Sequence, residues 1–132
     1  MVTGVDKSRY HVLLEGEARL VTATMGKEIR KAGAVVGDRV ALSGDTSDTV
    51  GALARIVRVE ARTSLLRRSA DDSDLVERVI VANADQMAIV IAAANPEPRT
   101  RLVDRYLAAA YDAGLSPILV ITKTDLQDPS EF

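Results

Sequence analysis

The sequence predicts a β-barrel of the OB-fold type followed by the first β–α–β unit of a truncated α/β domain. Short alternating apolar segments, separated by turn residues about every ten positions, fill residues 1–68. Two continuous apolar runs flank an amphipathic segment in residues 69–132. The formal charge changes sign, from +4 (12 basic against 8 acidic residues) in 1–68 to −6 (5 against 11) in 69–132. We therefore predict two domains, 1–68 and an incomplete 69–132.

The barrel is predicted from at least four short strands joined by turns. Apolar and polar residues alternate along these segments, so each strand can bury one face and expose the other. Glycine and aspartate, which favour turns, lie between them. The predicted strands are 10–14, 18–24, 39–42 and 51–59, and the predicted turns are 15–17, 36–38 and 44–48. Residues 62–68 are predicted to be a basic connector, and residues 70–74 an acidic, flexible stretch.

The second half has the pattern of two parallel strands joined by a helix. Residues 87–94 are continuously apolar, as in a strand buried on both faces. Thr100 is the expected N-cap of a helix that ends at Gly114, before a strand at 118–121. A right-handed crossover makes the two strands parallel neighbours. Because two strands alone expose an edge and a face, we expect this unit to be the start of a larger, truncated sheet.

Composition excludes several kinds of site. Cysteine is absent and His11 is the only histidine, which excludes disulfides, thiolate metal sites and an imidazole cluster. The N-terminus lacks the apolar core of a signal peptide, and the longest apolar run is too short to span a bilayer. We assign no catalytic residue and no metal ligand, and we expect a cytoplasmic protein without membrane contact.

A candidate guanine-binding loop follows the last predicted strand. Thr122, Lys123 and Asp125 form Thr-Lys-x-Asp, close to the Asn-Lys-x-Asp loop with which GTPases read guanine. The Asp125 carboxylate can accept hydrogen bonds from guanine N1–H and from the 2-amino group, which adenine lacks. The Lys123 stem can lie along the base plane. The alternative is a solvated turn, but open α/β sheets bind ligands at this end of their strands.

A phosphate-binding loop is missing from the sequence. The pattern G-x-x-x-x-G-K-[ST] does not occur, since Gly26-Lys27 is followed by Glu28 and no glycine lies five residues before Gly26. Most GTPases place the phosphate loop first and the guanine loop late. Either the Thr-Lys-x-Asp motif is a coincidence, or the motif order is permuted and the remainder has been cut off.

Five segments in order resemble the RsgA (YjeQ/EngC) family of circularly permuted GTPases that depend on the small ribosomal subunit. They are residues 36–40, 62–68, 81–86, 103–110 and 120–126. The resemblance implies an OB barrel ahead of a GTPase domain whose guanine loop precedes its phosphate loop, and then a zinc-binding C-terminal domain. It implies a monomeric parent that uses GTP and Mg²⁺ in maturing the 30S subunit, with 16S rRNA as a partner. Thr122 departs from the family's usual asparagine.

Six basic residues are candidates for contact with rRNA phosphates. Lys27, Arg30 and Lys31 lie on a barrel loop, where OB folds commonly bind nucleic acid. Arg62, Arg67 and Arg68 lie at the exit of the barrel. The alternatives are a solvated loop for the first three and a connector pinned to the acidic half for the others. Because the barrel has few aromatic residues, we expect electrostatic contact with the RNA backbone rather than base stacking.

Three functional hypotheses remain open. The first is a fragment of a ribosome biogenesis GTPase that is inactive alone because it lacks the phosphate loop. The second is a stand-alone RNA-binding OB module without nucleotide activity, and the third is a non-functional truncated product. Asn83 and Asp85 are interpreted as a turn and strand cap near the nucleotide site of the parent. Tyr106 and Tyr111 are interpreted as packing the helix on the sheet.

Overall fold

The computed structural model describes residues 1–27, 29, 33–47, 51–68 and 78–131, which form two compact units, 1–83 and 84–132. The helices and strands described in the first unit are all strands, and the second unit contains a β–α–β arrangement. The strands are β1 (Val2–Asp6), β2 (Arg9–Leu13), β3 (Leu20–Met25), β4 (Val40–Gly44), β5 (Ala54–Val59), β6 (Leu65–Arg68), β7 (Arg78–Ala82), β8 (Gln86–Ala92) and β9 (Ser116–Thr122), with helix α1 (Thr100–Asp112) between β8 and β9 and a 3-10 turn at Pro129–Glu131.

Five strands of the first unit form one mixed sheet in the order β1-β2-β3-β5-β4. Neighbours are antiparallel except for β3 and β5, which are parallel. The strands follow the predicted alternation: Val21, Ala23 and Met25 of β3 are buried together with Ala54 and Ile56 of β5. Side chains on the other face of these strands are left for solvent and ligands.

The closed barrel predicted from the sequence is confirmed only as this five-stranded sheet. The residues before β4 approach β1, because Val2 N donates to Asp38 O at 2.8 Å and Gly37 N donates to Val2 O at 2.8 Å. The strand pairings found among the described residues do not include a ladder between β1 and β4. The described strand pairings therefore establish the strand order of this sheet, but not a closed OB barrel.

Three strands of the first unit, β1, β6 and β7, were not predicted. β1 has only two apolar side chains, Val2 and Val5, around Gly4, so its pattern is weak. β6 occupies most of the stretch predicted as a basic connector, and it pairs antiparallel with β7. An isolated parallel bridge joins Val36 to Val81, beside this two-stranded ladder. The predicted domain boundary between 68 and 69 remains a prediction, whereas by contacts the chain divides between 83 and 84.

The second unit confirms the predicted β–α–β order. β8 and β9 are parallel and in continuous register from Gln86↔Ser116 to Ala92↔Thr122. The helix begins one residue earlier than expected: Thr100 is its first residue, and Arg99 is the N-cap, without a side-chain cap bond. Gly114 has φ of +73° and follows the helix, as predicted. No helix within the described residues is long and apolar enough to cross a membrane.

The helix packs through different residues from those predicted. Ala110 is fully buried, and Leu115 just after the helix is also buried. Tyr106 and Tyr111 are exposed, so the prediction that they pack the helix on the sheet is wrong. Their spacing placed them near the apolar stripe, but the residue of the helix that is buried is the small Ala110. The predicted acidic stretch at 70–74 falls outside the described residues.

Candidate functional site

The Thr-Lys-x-Asp loop begins where β9 ends and is attached there to β8. Ala93 N donates to Thr122 O at 2.9 Å, which continues the parallel ladder by one bond. Thr122 Oγ1 donates to Ile91 O, at a long 3.4 Å. Lys123 then has φ of +56°, and Leu126 N donates back to Lys123 O at 3.0 Å. The chain therefore leaves the sheet in a tight turn that presents residues 123–126 at its carboxyl edge.

A groove of about 560 Å³ lies beside this loop. Lys123 Nζ donates to the carbonyl oxygen of Asn95, which ties the loop to the segment that follows β8. Asn95 also has a positive φ, of +43°. The groove is lined by Ala93, Ala94, Asn95, Glu97, Pro98, Thr100 and Gln127. A small open cleft at the carboxyl ends of parallel strands is the position at which α/β sheets bind ligands.

Asp125 is the exposed acceptor of this loop. Within the described part of the chain, no hydrogen bond or ion pair engages its carboxylate. Both oxygens are thus free to accept from a donor pair such as N1–H and the 2-amino group of guanine. Thr122, by contrast, uses its hydroxyl within the sheet. The structure brings Thr122, Lys123 and Asp125 together in one loop. The Thr122 hydroxyl bonds within the sheet, Lys123 bonds to Asn95, and the Asp125 carboxylate is an acceptor without a partner among the described residues.

The predicted basic loop is described only at Lys27, because Arg30 and Lys31 fall outside the described residues. Lys27 is exposed and lines a groove of about 370 Å³ with Arg55. Arg55 stands in register between Thr24 of β3 and Ser43 of β4. One guanidinium flanked by two hydroxyl side chains is a suitable surface for a phosphate.

Arg55 was missed by the sequence reasoning. The signal was present, since Arg55 lies between the buried residues Ala54 and Ile56, and alternation places its side chain on the outer face. A basic residue in a strand does not form a run of charges, so a search for clusters along the chain overlooks it. Its polar neighbours, Thr24 and Ser43, lie on adjacent strands, and which residues stand beside it depends on register.

Arg62 is engaged by a buried carboxylate. Its Nε lies 2.7 Å from Asp38 Oδ1, and its Nη2 lies 2.8 Å from Asp38 Oδ2. Asp38 is 0% exposed and also accepts from Val35 N at 2.8 Å. Hydrogen bonding to Asp38, with a smaller charge attraction, raises the pKa of Arg62 against the opposing effect of burial. This bidentate pair gives Arg62 a structural task in addition to the predicted RNA contact.

Asn83 joins two further segments of the first unit. Its Oδ1 accepts from Thr63 N at 2.7 Å, and its Nδ2 donates to Gly37 O at 2.9 Å. Gly37 has φ of +94°, and a Cβ added there would lie 1.9 Å from Ala82 O. The sequence reasoning interpreted Asn83 as a turn and strand cap, and its φ of +58° agrees with the turn. The long-range bonds of Asn83 were missed, although the three segments concerned were already recognised as motifs.

Arg67 and Arg68 lie at the end of β6 with exposed side chains. They belong to the two-stranded β6–β7 ladder, whereas Arg55 belongs to the five-stranded sheet. The four predicted RNA contacts that the structure describes, Lys27, Arg62, Arg67 and Arg68, therefore fall on different parts of the first unit. Within the residues that the structure describes, no group of three or more His, Asp or Glu side chains is arranged to hold a metal.

Comparison with known proteins matches both units. A family model described as RsgA GTPase matches residues 59–132. The small ribosomal subunit biogenesis GTPase RsgA of Gemmatimonas aurantiaca is 42% identical over 94 residues, which cover 71% of this chain and 30% of the relative. The protein of the same name from Chlorobaculum parvum is 37% identical over 114 residues, covering 83% of this chain and 37% of the relative.

Two solved structures are similar to this chain over nearly its whole length. YjeQ from Thermotoga maritima superposes with a TM-score of 0.70 and 26% identity, covering 98% of this chain and 42% of that one. YloQ, a circularly permuted GTPase, superposes with a TM-score of 0.68 and 25% identity, with the same coverage of 98% and 42%. The chain spans about a third of the length of the curated relatives that it matches.

Proposed function

This chain belongs to the RsgA GTPase family, and from that premise we propose that its parent hydrolyses GTP during late maturation of the 30S ribosomal subunit. Relatives at 42% and 37% identity are named small ribosomal subunit biogenesis GTPases, which supports this proposal. We propose a cytoplasmic parent, because ribosome assembly requires access to the subunit there, and a monomeric one, as the family resemblance implies. We assign a different part of this function to each of the two units of the chain.

The second unit recognises the guanine base. The observation that carries this proposal is the free carboxylate of Asp125, presented beside a groove at the carboxyl edge of β8 and β9. Guanine satisfies both oxygens of this carboxylate, whereas adenine leaves it unpaired. Lys123 holds the loop to the groove wall through Asn95, and its aliphatic stem forms a surface for the base.

The triphosphate and Mg²⁺ are assigned to other parts of the parent. This sequence has no G-x-x-x-x-G-K-[ST] motif, and the described residues offer no carboxylate cluster for a metal. The residues present therefore fit the guanine base but not the phosphates or Mg²⁺. The zinc domain expected from the family resemblance is likewise assigned to the remainder of the parent. We expect this chain alone to be unable to hydrolyse GTP.

The first unit contacts rRNA. Its strand order β1-β2-β3-β5-β4 is the order of an OB-fold, which we propose as its fold in the parent. Lys27 and Arg55 share one groove, and Arg30 and Lys31, which follow Lys27 in the sequence, stay candidates for the same RNA contact. Arg67 and Arg68 are exposed on β6 and form a further contact. Arg62 supports this surface chiefly through its pair with Asp38.

The proposed function is tested by nucleotide hydrolysis in the full-length parent. Rates of GTP and ATP hydrolysis are measured with and without purified 30S subunits, for the wild type and for Asp125→Ala. We expect hydrolysis of GTP rather than ATP, stimulation by 30S subunits, and loss of the preference for GTP in the variant. Equal rates with ATP and GTP, or no response to 30S subunits, would overturn the proposal.

A stand-alone RNA-binding module is the second candidate. The cations exposed on the first unit support it, since contact with RNA through them needs no nucleotide. Under both candidates the 132-residue chain binds 30S subunits. The measurement that distinguishes them is binding of the full-length parent to 30S subunits with and without GTP. Only a chain that is part of a GTPase should change its binding when GTP is added.

A further inference from the structure

The second unit carries a basic patch that the guanine loop does not use. Residues 84–132 contain four lysine and arginine residues, and three of them line a single groove of about 440 Å³. These three are Arg99, Arg101 and Arg105, and all are exposed. Pro98, Thr100 and Leu102 complete the groove. The unit is acidic as a whole, so this concentration of its cations does not follow from composition.

Among the described residues, no neighbouring acidic side chain neutralises these three arginines. Asp104 and Glu97 are close in sequence, yet among the residues the structure describes, neither forms an ion pair with Arg99, Arg101 or Arg105. The first turn of α1 contains no acidic residue. Arg101 and Arg105 are four residues apart on α1, a spacing at which like charges repel. Arg99 and Arg101 also lie at the positive end of the helix, where cations are disfavoured.

This arrangement is unfavourable for the isolated chain and favourable for a polyanion. Guanidinium groups bind phosphate through paired N–H donors and are weakly hydrated, so they exchange water for phosphate readily. Three such groups along one groove suit a ligand with several phosphates in succession rather than a single phosphate. Pro98 and Leu102 give the groove apolar walls without aromatic rings, so we expect contact with the phosphates rather than stacking of bases on aromatic side chains.

We propose that Arg99, Arg101 and Arg105 form a second RNA-contact surface, on the second unit, that binds the RNA phosphate backbone. The identification of that RNA as rRNA rests on the proposed function, whereas the phosphate chemistry rests on the patch itself. Binding through this surface is independent of base sequence and falls steeply with salt, because each phosphate that is neutralised releases counterions from the RNA.

The test is a salt titration of binding by the 132-residue chain to two probes, single-stranded poly(U) and purified 30S subunits. The variant Arg99→Gln/Arg101→Gln is compared with the control Lys7→Gln/Arg58→Gln, which removes the same charge elsewhere. Arg58 is already paired with Glu60, at 2.8 Å. Arg99→Lys/Arg101→Lys, which keeps the charge, should retain the wild-type salt slope. Thermal unfolding confirms that each variant remains folded.

We expect the Gln variant to flatten the salt slope for poly(U) by about 0.7 for each phosphate that it no longer neutralises, while the control leaves the slope unchanged. Equal slopes for the variant and the wild type would overturn the inference. Displacement of poly(U) by polyglutamate at equal charge concentration would assign the patch to an acidic protein and also overturn it. If the wild type binds poly(U) in this way but ignores 30S subunits, the surface stands and the proposed function fails.

Discussion

The two units of this chain reach stability in different ways. The first unit buries a core from four strands of its sheet, β1, β2, β3 and β5, and polar bonds around Asp38 and Asn83 hold its connecting segments together. The second unit has two paired strands and one helix, and apolar residues of those strands stay exposed, with Val90 at 65%. A closed core makes a unit self-sufficient, whereas a two-stranded sheet depends on further structure.

The largest expected effect is in local stability. Because the first unit buries a core shared by several strands and the second leaves apolar strand residues exposed, amides of β5 should be protected by about 4 kcal/mol more than those of β9, roughly a thousand-fold in exchange rate. Hydrogen exchange by mass spectrometry on the 132-residue chain measures both. Slower exchange across 118–121 than across 53–59 would contradict the comparison.

The next effect concerns the turn at Gly37. A Cβ at Gly37 would lie 1.9 Å from the backbone oxygen of Ala82, in a conformation with φ of +94°. We expect Gly37→Ala to cost the first unit about 3 kcal/mol or more. Gly16→Ala is the control: Gly16 also has positive φ, +76°, but nothing lies within 4 Å of its Cβ position. It should cost about 1 kcal/mol, and urea unfolding followed by circular dichroism compares the two.

Removing the buried carboxylate should have a somewhat smaller effect. Asp38→Asn leaves the Arg62 guanidinium, which is 22% exposed, without its counter-charge, so we expect a loss of about 2–3 kcal/mol in the first unit. Glu60→Gln removes the partner of Arg58 in an exposed pair and should cost less than about 0.5 kcal/mol. If both variants unfold at the same urea concentration, the Asp38–Arg62 pair does not stabilise the first unit.

The guanine loop gives a third contrast, within the second unit. In the full-length parent we expect Asp125→Ala to weaken GTP binding by about 1.5–3 kcal/mol, since it removes a charge-assisted acceptor. Thr122→Ala should cost less than about 1 kcal/mol, because its bond to Ile91 O is long at 3.4 Å. Isothermal titration calorimetry with GTP decides between them. Equal losses, or none for Asp125→Ala, would remove the assignment of the guanine site.

The smallest effect is expected at the basic loop of the first unit. Replacing Lys27, Arg30 and Lys31 with alanine should reduce the salt slope of binding to 30S subunits by about two to three units, without unfolding the sheet. The matched variant Arg55→Ala should reduce it by about one more unit, because Arg55 shares the groove of Lys27. Unchanged slopes would mean that this loop is only a solvated surface.

Elements with strong local patterns were predictable from the sequence. The alternation in β3 and β5, the continuous apolar run of β8 and the helical spacing of α1 each repeat a pattern that the backbone geometry imposes. β1 has too few apolar residues, and β6 carries two arginines, so neither has such a pattern. Their place in the fold comes from partners distant in sequence, such as Leu65↔Ala82.

The candidate site also has one part that the sequence predicted and another part that only the tertiary structure shows. Thr122, Lys123 and Asp125 could be picked out from the sequence alone, because they follow an apolar strand and Lys and Asp stand at the spacing of the Asn-Lys-x-Asp loop. The tertiary structure alone decided that Arg62 binds Asp38, that Asn83 bridges Thr63 and Gly37, and that Arg55 shares a groove with Lys27. The physical reason is that chemistry resides in single side chains, whereas a contact depends on where the fold brings its second partner.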